Sequence, residues 1–194
     1  MKYSLLLLSV CTLFSTAAYA PKHALSAFDE RASTTLRLEL TENGLCSGTA
    51  VAPRVVLTAT HCFQGAELIS LNGQVATITH REDDGKDHTL IWVDLAFPVW
   101  AEMGGFLRQG DSVEYWGNPY AIPNQYRKGV VSGPVMDAIL LDINGWKGDS
   151  GAGVFKDGKV VTVITGIHEM RSFGLMVTFP LQFTEGQLEL LNNK

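Results

Sequence analysis

Turn residues cut this 194-residue chain into short apolar runs, and that segmentation limits its fold more than any other feature. Thr35 to Leu40 alternates apolar and polar residues with period two, as a half-buried strand does. Asn43-Gly44 turns the chain, and Leu45 to Ala52 with Arg54 to Thr58 reads as a hairpin around Pro53. Glu67 to Leu71, the Asn72-Gly73 turn and Gln74 to His80 form the next pair, and Thr89 to Phe97 returns to an apolar run after a charged loop at 81–88. Nineteen Gly and seven Pro with no repeat period fit this pattern and disfavour a helical bundle or a solenoid.

A softer stretch with Met103-Gly104-Gly105 and Gln109-Gly110 separates this set from a second: Ser112 to Trp116, Arg127 to Val131, Ala138 to Ile143, Ala152 to Phe155, Lys159 to Ile167 and Gly174 to Phe179. Each half then holds about six strands. The expectation is an all-β protein of two similar halves, paired barrels or a sandwich, spanning 21–105 and 106–194. A terminal helix is predicted where Thr184 and Gln187 make a capping box, and it is expected to pack on the second half.

Residues 1–20 obey a different rule. Lys2, an apolar stretch from Leu5 to Phe14 and small residues up to Ala20 read as a secretory signal, with an uncleaved anchor helix as the alternative. Pro21 leaves cleavage after Ala17, Ala18 or Ala20 open. Removing the signal takes Cys11 with it and leaves Cys46 and Cys62, an even pair in an exported protein. A disulfide closing that 16-residue loop contributes roughly 3 kcal/mol by chain entropy; the alternative is two buried thiols. The net charge of -5 comes with no Lys/Arg run, which argues against a nucleic-acid partner. No CxxC pair or His cluster points to a metal.

Gly148-Asp149-Ser150-Gly151-Ala152-Gly153 is the segment richest in chemistry. Glycines on both sides of a serine let the backbone bend and present its hydroxyl, and the amides of Gly148 and Ser150 could converge on a developing oxyanion. Taken alone, the segment is equally a Gly-rich turn. A serine nucleophile needs an adjacent base, usually a His oriented by a carboxylate. Of five His, His61 follows an apolar strand and is tied down by its neighbour Cys62.

Cys46-Ser47-Gly48-Thr49-Ala50, Val56-Leu57-Thr58-Ala59-Thr60-His61-Cys62 and Gly148-Asp149-Ser150-Gly151 resemble, in order, the motifs of the trypsin-like (chymotrypsin-fold) serine peptidases. The resemblance covers roughly residues 33–183 and implies two antiparallel β-barrels with a cleft between them, a Cys46–Cys62 bridge, and a secreted or periplasmic serine endopeptidase with Ser150 as nucleophile and His61 as base. In size the chain resembles the compact bacterial and viral members, and it shows no activation site of the Arg-Ile-Val-Gly-Gly kind. The partner of Asp149 is therefore open. Asp94, in Trp92-Val93-Asp94-Leu95-Ala96, is expected as the orienting acid, whereas Asp83, Asp84 and Asp87 are read as surface-loop residues. The expected partner is a protein or peptide substrate, with no cofactor, no nucleic acid, no membrane insertion once the signal is removed, and a monomeric state.

Gly166-Ile167-His168 resembles the G-[IM]-H segment of glutamate-specific bacterial peptidases and of glutamine-preferring picornavirus-type cysteine peptidases. That likeness implies a specificity pocket of Asn144, Thr165 and His168, with a Glu or Gln before the cleaved bond. Gly145 departs from the pattern and Glu169 would repel an acidic side chain, so a pocket for medium apolar residues is the alternative. Two rival classes remain: a catalytically silent relative used as a binding module, and an α/β-type esterase, which needs a βαβ alternation this chain lacks.

Overall fold

The computed structural model describes residues 26–170 and 173–192; the expected signal at 1–20 lies outside the described residues. Among the described residues no helix is long and apolar enough to cross a membrane. Strands β1 (Thr35–Leu40), β2 (Leu45–Ala52), β3 (Val55–Ala59), β4 (Leu68–Leu71), β5 (Gln74–Val75), β6 (Ile78–Asp83) and β7 (His88–Val93) build the first sheet. Strands β8 (Ser112–Gly117), β9 (Gln125–Val135), β10 (Ala138–Asp142), β11 (Gly153–Lys156), β12 (Lys159–Val163), β13 (Gly166–Met170) and β14 (Phe173–Thr178) build the second.

The orders are β5-β4-β1-β2-β3-β7-β6 and β12-β11-β8-β9-β10-β14-β13. Counted from its own first strand, each half has the same order. In both, two strands consecutive in the chain sit at opposite ends of the sheet: β5 and β6, then β12 and β13. Only three Cα steps join Val75 to Ile78 and Val163 to Gly166, a span of at most about 11 Å. The sheet ends must therefore meet, and each sheet rolls into a barrel. The architecture is the chymotrypsin-like double barrel, with seven strands per sheet instead of six. The extra strand has one cause in each half: the runs Gln74–His80 and Lys159–Ile167 break in two as the chain leaves one neighbour for another.

Two apolar clusters fill the halves. Leu38, Val55, Leu57, Leu90 and Ile91 lie in the first, and Val113, Tyr115, Leu141, Val154 and Ile164 in the second. Charged residues at 80–83 belong to β6 and not to a loop, because β6 ends the hydrogen-bonded ladder and is only half-buried.

Each terminal segment crosses to the opposite barrel. Helix α1 (Ala27–Ser33), which the strand pattern does not predict, is capped by Ser26, whose Oγ accepts from Asp29 N at 3.1 Å. Phe28 meets the rings of Trp116 and Tyr126 of the second barrel at 5.0 Å each, and Arg31 pairs with Glu114 at 2.9 Å. Helix α2 (Glu185–Glu189) forms on the predicted Thr184/Gln187 capping box. It packs on the first barrel and not, as expected, on the second. Leu190 and Leu191 join the first cluster, and Gln187 Nε2 donates to Glu82 Oε2 and to Asp83 O.

Candidate active site

The Gly148–Gly153 loop docks directly on β2. Ser47 N donates to Ser150 O at 2.7 Å, Ser47 Oγ donates to Gly148 O at 2.7 Å, and Gly153 N donates to Thr49 Oγ1 at 3.0 Å. Such contact leaves no room for side chains. A Cβ on Gly151 would lie 2.2 Å from Ser47 O and 2.1 Å from Thr58 Oγ1, and one on Gly148 would lie 2.4 Å from Asn118 O. Both residues also have positive φ, at +85° and +101°. The two flanking glycines thus allow the loop to lie flush on the first barrel.

Tyr120 N donates to Lys147 O at 2.8 Å. A trans peptide points its N–H opposite to its carbonyl, so the Gly148 amide faces away from Tyr120. Among the described residues neither the Gly148 nor the Ser150 amide has an acceptor, while the Asp149 and Gly151 amides bond Trp146 O and Ile164 O.

Ser150 and His61 line one cleft of about 530 Å³ with Leu40, the bridged Cys46 and Cys62, and Tyr120. The Cys46–Cys62 disulfide is present, with a Cα separation of 6.3 Å. His61 lies near both sulfurs, yet sulfurs already joined cannot ligate a metal. Reducing the bridge should lower the unfolding midpoint and the activity together, because the loop it closes ends beside His61. Two alkylatable thiols in unreduced, denatured protein would remove the bridge from the account.

The carboxylate at His61 belongs to Asp87 and corrects the expectation for Asp94. Asp87 Oδ2 pairs with His61 Nδ1 at 2.8 Å, and its Oδ1 accepts from His61 N at 2.8 Å. Asp94 Oδ1 instead accepts from Thr77 N at 2.8 Å. The cause is strand register. In the antiparallel β3/β7 pair Ala59 faces His88 and Val55 faces Trp92, so His61, just past the end of β3, meets the residue before β7. Asp94 follows β7, seven residues away, or about 23 Å of extended chain. Asp87 sits at φ 72°, a left-handed conformation that Asp tolerates better than most residues.

Asp149, whose partner the sequence left open, is fully buried beneath the loop. Its Oδ2 accepts from Trp146 N at 2.9 Å and from Tyr115 Oη at 3.2 Å, and lies 3.3 Å from Arg127 of β9. Burial raises its pKa, opposed by the Trp146 amide, the Arg127 charge and the Tyr115 hydroxyl. Tyr115 is pushed up as well, by burial first and then by the Asp149 charge. Arg127→Met would leave a buried carboxylate without its cation and is expected to cost about 3 kcal/mol in denaturant titration. No loss would mean that Asp149 is held by hydrogen bonds alone.

None of the three expected pocket residues lines the cleft with Ser150. Asn144 is exposed, with its carbonyl accepting from Tyr115 Oη at 2.9 Å. Thr165 Oγ1 donates to Val177 O at 2.9 Å, and His168 is exposed on β13. The residue of this strand that meets the nucleophile loop is Ile164, which accepts from Gly151 N and donates to Ala152 O. Met176 fills the space against Gly145, where a Cβ would lie 2.4 Å from its Sδ.

The sequence model of the trypsin family matches residues 27–94, the part that carries β1 to β7 and His61. No curated protein is significantly similar in sequence. Solved structures extend the likeness to both barrels. Human heparin binding protein superposes with a TM-score of 0.70 at 14% identity, covering 85% of this chain and 94% of its own. The active form of the Rv3671c protease from M. tuberculosis gives 0.69 at 15% identity, covering 84% and 82%. A serine endoprotease from Yersinia pestis gives 0.69 at 20% identity, covering 87% and 66%. At such identities the superpositions establish the fold alone: this chain has the chymotrypsin fold, and the trypsin-family match covers its first barrel.

Proposed function

We propose that the protein is a secreted serine endopeptidase working through an acyl-enzyme, with Ser150 as nucleophile, His61 as general base and acid, and Asp87 as the orienting carboxylate. Ser150 Oγ attacks the peptide carbonyl carbon while His61 Nε2 takes the hydroxyl proton. Negative charge gathers on the carbonyl oxygen, where the free amides of Gly148 and Ser150 can donate. Collapse breaks the C–N bond, and His61 returns its proton to the leaving amine. Water then repeats the sequence on the acyl-serine. The observation that carries the reading is the His61–Asp87 pair: a carboxylate on Nδ1 leaves Nε2 free for proton transfer in the cleft that Ser150 lines. The disulfide and the expected signal support secretion. Hydrolysis of a denatured protein substrate, blocked by a fluorophosphonate, tests the activity; a folded protein that cleaves nothing and resists the reagent is the silent binding module instead.

For specificity the apolar alternative is supported best. A Glu or Gln preference would need His168 at the substrate, and that side chain is exposed four residues beyond Ile164. A proteomic cleavage profile should show medium apolar residues before the cleaved bond, unchanged in His168→Ala. A Glu- or Gln-dominated profile lost in that variant would restore the acidic or amide preference.

A further inference from the structure

A second Asp–His pair lies one residue away from the first and is closed to solvent. His88 follows Asp87 in the chain, and successive strand residues point to opposite sides. Asp87 meets His61 at the cleft, whereas His88 and the side chain of Asp84 are fully buried. Asp84 Oδ2 accepts from His88 Nδ1 at 2.6 Å and from Gln182 N at 2.9 Å, and its Oδ1 accepts from the amides of Lys86 and His88. Burial pushes the Asp84 carboxyl upward, but the hydrogen bond and charge of His88 and the two amides of Gln182 and Lys86 outweigh it and hold it below its ordinary value.

The other face of His88 reaches the second barrel. His88 Nε2 lies 3.2 Å from Thr162 Oγ1 of β12. Thr162 Oγ1 donates to Phe179 O at 2.6 Å, and Thr178 Oγ1, in contact with Thr162, donates to Val163 O at 2.6 Å. The Thr162 hydroxyl thus joins His88 Nε2, Thr178 Oγ1 and Phe179 O in one buried hydrogen-bonded cluster. Strand β12 also leads to the nucleophile loop: Thr162 pairs with Val154 of β11, and Ile164, the residue after β12, accepts from Gly151 N and donates to Ala152 O beside Ser150. A second tie, Lys86 to Asp137 at 2.7 Å, joins the same loop to the β9/β10 turn at the surface.

We propose that the buried Asp84–His88–Thr162 chain positions the triad: through it, strand β12, whose C-terminal end meets the nucleophile loop, fixes the loop that holds Asp87. The residues belong to no cleft and touch no substrate; they are positioning residues. The inference rests on the triad reading above. Its logic is that the two halves of the proton-transfer unit lie on different barrels, and an error of about 1 Å in their relation costs up to about a hundredfold in rate.

The test is Thr162→Val, which removes the hydroxyl and keeps the shape. Three quantities are read on folded protein: kcat and KM on a peptide that the wild type cleaves, the rate of Ser150 modification by a fluorophosphonate, and the downfield proton resonance of His61 Nδ1–H. The proposal expects kcat and the modification rate to fall about 10- to 100-fold, KM to hold, and the resonance to shift, with Thr162→Ser recovering all three. Wild-type rates and an unmoved resonance in Thr162→Val would overturn it. Should that variant not fold, Asp84→Asn is read in the same way from the other end of the chain. Failure of the parent reading is distinct: the wild type itself would then neither cleave peptides nor react, while the resonance would still report whether Thr162 or Asp84 governs His61.

Discussion

Ser150→Ala and His61→Ala are each expected to lower kcat/KM by about 10⁵- to 10⁶-fold, with the double variant no worse, since in the proposed mechanism the two side chains act as one proton-transfer unit. The upper figure corresponds to roughly 8 kcal/mol of barrier. The fold should survive both changes. Ser150 holds the barrels together through its carbonyl, which accepts from Ser47 N, and Ala keeps that bond. The His61 backbone is likewise retained, with its amide on Asp87 and its neighbour Cys62 in the disulfide. Steady-state kinetics beside a thermal melt separates the two effects. A Ser150→Ala enzyme within about tenfold of the parent would leave only about 1.4 kcal/mol for the nucleophile and would refute its assignment.

Asp87→Asn is expected to reduce kcat by about 10⁴-fold, because an amide at Nδ1 permits the tautomer that leaves Nε2 protonated and unable to take the serine proton. Asp94→Asn should stay within about twofold of the wild type: its task is to accept from Thr77 N, and an Asn side-chain oxygen does that equally well. Paired kinetics of the two variants discriminates sharply. A large loss in Asp94→Asn with a small one in Asp87→Asn would reverse the assignment of the acid.

That pair of residues also shows where the sequence was legible and where it was not. The three motif segments announce themselves because each glycine or cysteine meets a local demand: Gly151 against Ser47 O, Gly148 against Asn118 O, Cys46 opposite Cys62. The carboxylate that pairs with His61 has no such local signature. Both Asp87 and Asp94 flank the same apolar strand, and only the β3/β7 register decides which end of it faces His61. The antiparallel rule contains the answer: a base at the end of one strand is met from the start of its partner. The charged run at 81–87 hid this, since an edge strand and a surface loop carry similar residues.

Other differences have the same character. The breaks inside 74–80 and 159–167 arise from barrel closure, a constraint that no local pattern carries. The placement of α2 on the first barrel is likewise set by tertiary packing, although its capping box was plain. Helix α1 was readable in principle, because Ser26 with Asp29 three residues on is an N-terminal cap signature ahead of the strands. The link between Asp149 and Arg127 spans 22 positions and joins a loop to a strand that reads as unremarkable.

The most direct test of the central claim is covalent. Purified protein treated with a biotinylated fluorophosphonate and then digested should carry one label per chain, on the peptide containing Ser150. Ser150→Ala should carry none, and labelling should slow by orders of magnitude in His61→Ala and Asp87→Asn but not in Asp94→Asn. Wild-type protein that is folded, disulfide-bonded and unlabelled, or labelled at a residue other than Ser150, would contradict the account.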